Sequence, residues 1–93
     1  MNRPPVARFR LGRLVSTPNA LNQLTHDDIL AAVWRHQAGD WGCVDGEDRR
    51  ANDRALIEGT RLLSVYESAK GVKFWLITEA DRSVTTILMP EDY

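Results

Sequence analysis

The sequence predicts a two-layer α+β domain, an antiparallel sheet of three to four strands with two or three helices packed on one face. The expected order is strand–helix–helix–helix–strand–strand–strand. Three observations predict it. The last third, from Arg61 to Tyr93, divides into three short apolar runs separated by turn residues. The middle of the chain carries helix-start and helix-stop signals at Thr17-Pro18, Thr25, Gly39 and Gly59. Finally, 93 residues with an apolar fraction of 43% and a charged fraction of 27% suffice for one ordinary globular domain.

Residues 1–8 read as a flexible Arg/Pro arm and residues 9–93 as the domain. Residues 9–15 alternate loosely through Phe9, Leu11, Leu14 and Val15, which predicts a first strand with a bulge at Gly12. Thr17 then caps exposed amides, and Pro18 suits the first helical position because its missing N–H costs nothing there. The helix over 18–24 should turn Ala20, Leu21 and Leu24 inward. Thr25 with Asp28 approximates a capping box, and Asp27 and Asp28 lie where the helix dipole favours negative charge. The second helix, 26–37, is expected to bury Ile29, Leu30, Val33 and Trp34, with Gln37 finishing the row, and to stop at Gly39.

The loop that follows holds Trp41, which is expected to plug a core edge with its N–H seeking an acceptor. A polar third helix over 47–58 offers a thin apolar stripe of Ala51, Ala55 and Leu56, with Arg49/Asp53 and Arg54/Glu58 spaced for ion pairs. The closing strands span 60–67, 72–78 and 84–89, joined by turns at Lys70-Gly71 and 79–83, which predicts an antiparallel meander. In the middle strand both Phe74/Leu76 and Trp75/Ile77 are apolar, so each sheet face needs a cover. Joint exposure of Trp75 and Ile77 would favour a homodimer through that face.

The composition bounds the function classes. No apolar run approaches the roughly 18–20 residues that span a bilayer, so no membrane partner is expected. The first residues lack the apolar segment of a secretory signal, and the lone Cys43 fits a reducing compartment, so a cytoplasmic location is expected. Charge is uneven: residues 1–26 carry four arginines and no acid, whereas residues 27–93 carry eight bases and thirteen acids, a balance of 8 − 13 = −5. Arg3, Arg8, Arg10 and Arg13 could track a phosphate backbone, because arginine pairs bidentately with phosphate; the alternative is an arm docked on the protein's own acidic surface.

His36 ends the second helix, where a cationic or hydrogen-bonding histidine is favoured. With His26 ten residues away and no CxxC around Cys43, no metal site or cofactor is expected; a Cys43–His36 nucleophile pair is the remote alternative. Asp40, Asp45, Glu47 and Asp48 sit before and within the third helix, as caps or as an acidic face for a basic partner. Glu79, Asp81 and Arg82, with Ser83, Thr85 and Thr86, concentrate polar groups on one hairpin, as turn chemistry or as a recognition surface.

Thr17-Pro18-x-Ala20-Leu21, Arg35-His36-x-x-Gly39-Asp40-Trp41-Gly42, Asp48-Arg49-Arg50-x-Asn52 and the run from Ile77 through Thr85-Thr86-x-Leu88-x-Pro90-x-x-Tyr93 form a pattern. With these segments the chain after Ser16 resembles a family of small uncharacterised proteins of bacterial plasmids and other mobile elements. The resemblance implies a mobile-element origin and assigns no catalytic residues. The expected function is a non-catalytic interaction protein that modulates or inhibits a host nucleic-acid-handling defence system of restriction or CRISPR type. Asp40, Asp45, Glu47, Asp48, Glu79, Asp81 and Arg82 are its candidate contacts. The alternative is an RNase-type toxin like RelE/ParE, with Arg61, Lys73, Arg82 and Tyr93 stabilising phosphate charge.

Overall fold

The computed structural model describes residues 6–93. Strand β1 (Arg13–Ser16) is followed by helices α1 (Pro18–Gln23), α2 (His26–Gln37) and α3 (Gly46–Glu58). Strands β2 (Leu62–Glu67), β3 (Lys73–Thr78) and β4 (Val84–Leu88) then lead into a short 3-10 turn, Pro90–Asp92. The α+β class and the order of elements are as the sequence predicts.

The sheet is mixed rather than antiparallel. β2, β3 and β4 form the expected meander, but β1 lies parallel to β4, giving the order β1-β4-β3-β2. The three-helix crossover carries the chain to the far edge before it meanders back, so β1 and β4 run the same way. The first strand also starts later than the alternation suggests. Gly12 is not a bulge: its φ of +67° turns the chain onto the hairpin tip, where any Cβ would collide with the Ser83 carbonyl.

All three helices cover the sheet face that carries Leu62, Tyr66, Phe74, Leu76 and Ile87. Their caps are those read from the sequence. The Thr17 hydroxyl accepts from the Ala20 amide, Thr25 and Asp28 form the reciprocal capping box, and Asp45 caps α3. Which side chains point inward differs. α2 buries Ala32, Val33 and His36, with Ile29 packed against the core, while Leu30 and Trp34 face solvent. His36 belongs to the inward face, so the stripe is rotated by about one position from the purely apolar reading. Leu21 of α1 is likewise exposed. α3 turns Asn52, Ala55 and Leu56 inward, not Ala51, and Asp53 accepts from the Trp41 indole N–H (3.0 Å) rather than pairing with Arg49.

Among the described residues no α-helix lies on the second face of the sheet. Trp75 is half-buried, Ile77 and Leu88 are buried, and the Tyr93 ring meets Trp75 edge-on at 5.6 Å. Because Ile77 is buried, the condition for dimerisation through a jointly exposed Trp75 and Ile77 is not met. Among the described residues no helix is long and apolar enough to cross a membrane.

Candidate functional site

Two polar constellations occupy the sheet, one buried beneath the helices and one on the helix-free face. The buried one centres on His36, which is 0% exposed. Its Nδ1 lies 2.5 Å from the Ser64 hydroxyl and its Nε2 2.8 Å from that of Thr78. Thr78 lies 2.7 Å from Thr85, whose hydroxyl donates to the Leu11 carbonyl at 2.7 Å. A carbonyl can only accept, which fixes the direction of the chain as far as the imidazole. Thr85 spends its proton on Leu11, Thr78 donates to Thr85, and His36 Nε2–H donates to Thr78. Burial keeps the ring neutral, so it is the Nε2–H tautomer and Nδ1 accepts from Ser64. Burial, with a smaller contribution from the Arg82 charge, lowers its pKa to about 4.

Phe9 and Trp41 pack edge-on against the imidazole at 5.1 and 5.7 Å. His36 is thus a satisfied core histidine, hydrogen-bonding but not cationic. Both ring nitrogens are engaged and Cys43 is exposed, so the Cys43–His36 pair does not form. Ser64 and Thr78 escaped the sequence reading. Their one signal is a hydroxyl at a core-facing position of an apolar strand, Ser64 between Leu62 and Tyr66 and Thr78 two after Leu76.

Arg82 is the second structural polar group. It sits at φ +61°, and its Nη1 donates to the carbonyls of Thr60 (2.6 Å), Glu79 (3.1 Å) and Ala80 (3.3 Å). Its Nη2 donates to the Ala55 carbonyl at 3.0 Å, and the guanidinium carbon lies 5.8 Å from the centre of the Phe9 ring. One side chain thereby ties the β3–β4 hairpin to the C-terminal end of α3.

The helix-free face carries the other constellation. Arg61 donates to the Tyr93 hydroxyl (2.9 Å) and pairs with Glu79 (3.3 Å). Tyr93 in turn rests against Trp75. Arg61 and Tyr93 of the toxin-like set thus meet, but Lys73 pairs in register with Glu67, roughly 20 Å along β2 at 3.3 Å per residue. Arg82 is held on backbone carbonyls. The four residues do not converge, and the described residues form no pocket around them.

The acidic candidates separate into two groups at opposite ends of α3, which at 1.5 Å per residue is roughly 18 Å long. At one end, Asp40 pairs with Arg35 (2.8 Å), a hydrogen bond that holds its carboxyl below the usual range. Asp45 there caps α3, and Glu47 and Asp48 lie exposed in its first turn. At the other end lie Glu79 and Asp81, whose carboxylate accepts from the Ser83 hydroxyl and amide and is lowered by those bonds. Of the arginine arm, Arg8 docks its amide on the Gln37 carbonyl (2.8 Å), Arg10 and Arg13 are exposed, and Arg3 lies outside the described residues.

The chain matches no family model, and neither curated proteins nor solved structures give a match.

Proposed function

We propose that the protein is a non-catalytic interaction protein of a mobile element, and that it grips a protein of a host nucleic-acid-handling defence complex, of restriction or CRISPR type. The supporting observation is the cluster of Trp75, Tyr93, Arg61 and Glu79 on the helix-free sheet face. Tryptophan, tyrosine and arginine are the side chains that most often anchor protein interfaces, because each offers large area or a forked donor at low entropic cost. Tyr93 is 71% exposed and Arg61 is half exposed, so a partner would find both already positioned by their mutual hydrogen bond. Asp81, on the hairpin that follows Glu79, extends the surface with a carboxylate suited to a basic partner. Such a body blocks a site built for phosphate without performing chemistry. The mobile-element context rests on the resemblance carried by the sequence motifs.

The test is phage plating on hosts that each carry one active restriction or CRISPR system, with and without expression of the chain. The expected result is a more than tenfold rise in plating on one such host, lost in the Arg61→Ala/Tyr93→Ala double variant. Both side chains are exposed, so the variant retains the fold. Unchanged plating on every host, or a double variant as active as the parent, overturns the proposal. Growth arrest on expression would point instead to the toxin-like reading.

A further inference from the structure

The two edges of the sheet are treated differently. The β2 edge is closed: the Asn52 side chain donates to the Leu63 carbonyl (2.7 Å) and accepts from the Leu63 amide (3.1 Å), imitating a neighbouring strand. Two residues on, Val65 donates to the Trp41 carbonyl (3.1 Å) and accepts from the Cys43 amide (2.6 Å). Every outward backbone group along that stretch has a partner.

The β1 edge is open. Arg13 and Thr17 direct their amides to Ser83 and Ile87 of the β4 side, so alternation turns the N–H and C=O of Leu14 and Ser16 outward. None of the described residues covers them. The Leu14 side chain, on the helix-bearing face, is 47% exposed. α2 also leaves an apolar flank exposed. Arg35 lies over Tyr66, and Asp28 bonds Ala69, so that side of α2 faces β2. Leu30 and Trp34 lie on the opposite side of the helix, at 39% and 36% exposure.

We propose that this edge pairs with β1 of a second copy, antiparallel about a two-fold axis at Leu14, joining two four-stranded sheets into one of eight. The charges along the edge select this arrangement. With Leu14 opposite Leu14 of the second copy, Arg13 stands opposite Val15 and diagonal to both Thr17 and Arg13 of that copy, so its long side chain reaches toward Thr17 and away from the like charge. The Thr17 hydroxyl is bonded to Asp92 (2.6 Å), which Asn19 also contacts at 3.1 Å. Each basic end therefore meets an acidic end, and symmetry makes the contact twice. A parallel copy would set Arg13 beside Arg13 instead. Leu14, 47% exposed, supplies apolar cover at the dyad.

The test is cross-linking of the full chain. At the dyad, a hydrogen-bonded antiparallel pair brings Cα atoms to about 5.5 Å, within disulfide reach. Leu14→Cys in a Cys43→Ser background should oxidise to a covalent dimer at least tenfold faster than Leu21→Cys, whose side chain is 60% exposed on α1. In sedimentation at about 100 µM the parent chain should show twice its monomer mass, and Arg13→Ala should raise the dissociation constant roughly tenfold. Monomeric parent at that concentration with equal oxidation of the two cysteine variants overturns the proposal. So does stronger self-association of Arg13→Ala, which would make Arg13 a guard against pairing. Unchanged circular dichroism certifies each variant as folded.

Discussion

Acid should unlock this fold through one residue. His36 is neutral and fully buried in the native state, with a pKa lowered to about 4 from an ordinary value of 6.5. Between those values the unfolded chain binds a proton that the folded chain refuses, so stability is full above pH 6.5 and declines as pH falls toward 4. At 1.36 kcal/mol per unit the whole window is worth about 3 kcal/mol. A domain of this size has a total stability of roughly 5–14 kcal/mol, so the loss is a large share.

The clean interval is pH 6.5 to 5. Asp28 is lowered by the Thr25 and Ala69 amides and Asp40 by Arg35, so both stay ionised there. Over that interval the expected loss is about 2 kcal/mol, which at a urea m-value near 1 kcal/mol/M moves the midpoint by roughly 2 M. The assay is urea unfolding at half-unit pH steps on the parent and on His36→Gln, alongside NMR titration of the His36 ring. The variant's midpoint should be nearly flat across the interval. An imidazole that titrates near 6.5, or a variant with the parent's slope, would refute the reasoning.

Two further outcomes follow from the same geometry. Asn52→Ala removes both bonds to Leu63 and should cost about 1–3 kcal/mol in thermal or urea unfolding, with increased aggregation as the β2 edge opens. An unchanged melting temperature counts against the strand-mimic role. Arg82→Ala releases the carbonyls of Ala55, Thr60, Glu79 and Ala80 and should destabilise by about 2 kcal/mol after allowance for solvent screening. Hydrogen exchange should show faster opening at the α3 C-terminus and the β3–β4 hairpin, and uniform exchange would speak against the clamp.

Local chemistry in the sequence determined the α+β class, the helix starts at Thr17, Thr25 and Asp45, and the meander of the last three strands. Caps, turn residues and period-two alternation act within a few residues, so they are readable without knowledge of the rest of the chain. Only the tertiary structure decided that β1 runs parallel to β4, that His36 rather than Trp34 points inward, and that Asn52 closes an edge. Each of these depends on partners distant in sequence, Ser64 and Thr78 for the imidazole and Leu63 for the amide. A polar side chain enters the core only where its complement already waits, and the chain's order does not record where that complement will be. Arg82 makes the same point at the surface. Its sequence setting in a polar hairpin suggests a binding residue, and the fold brings it within reach of four carbonyls that no local pattern foretells.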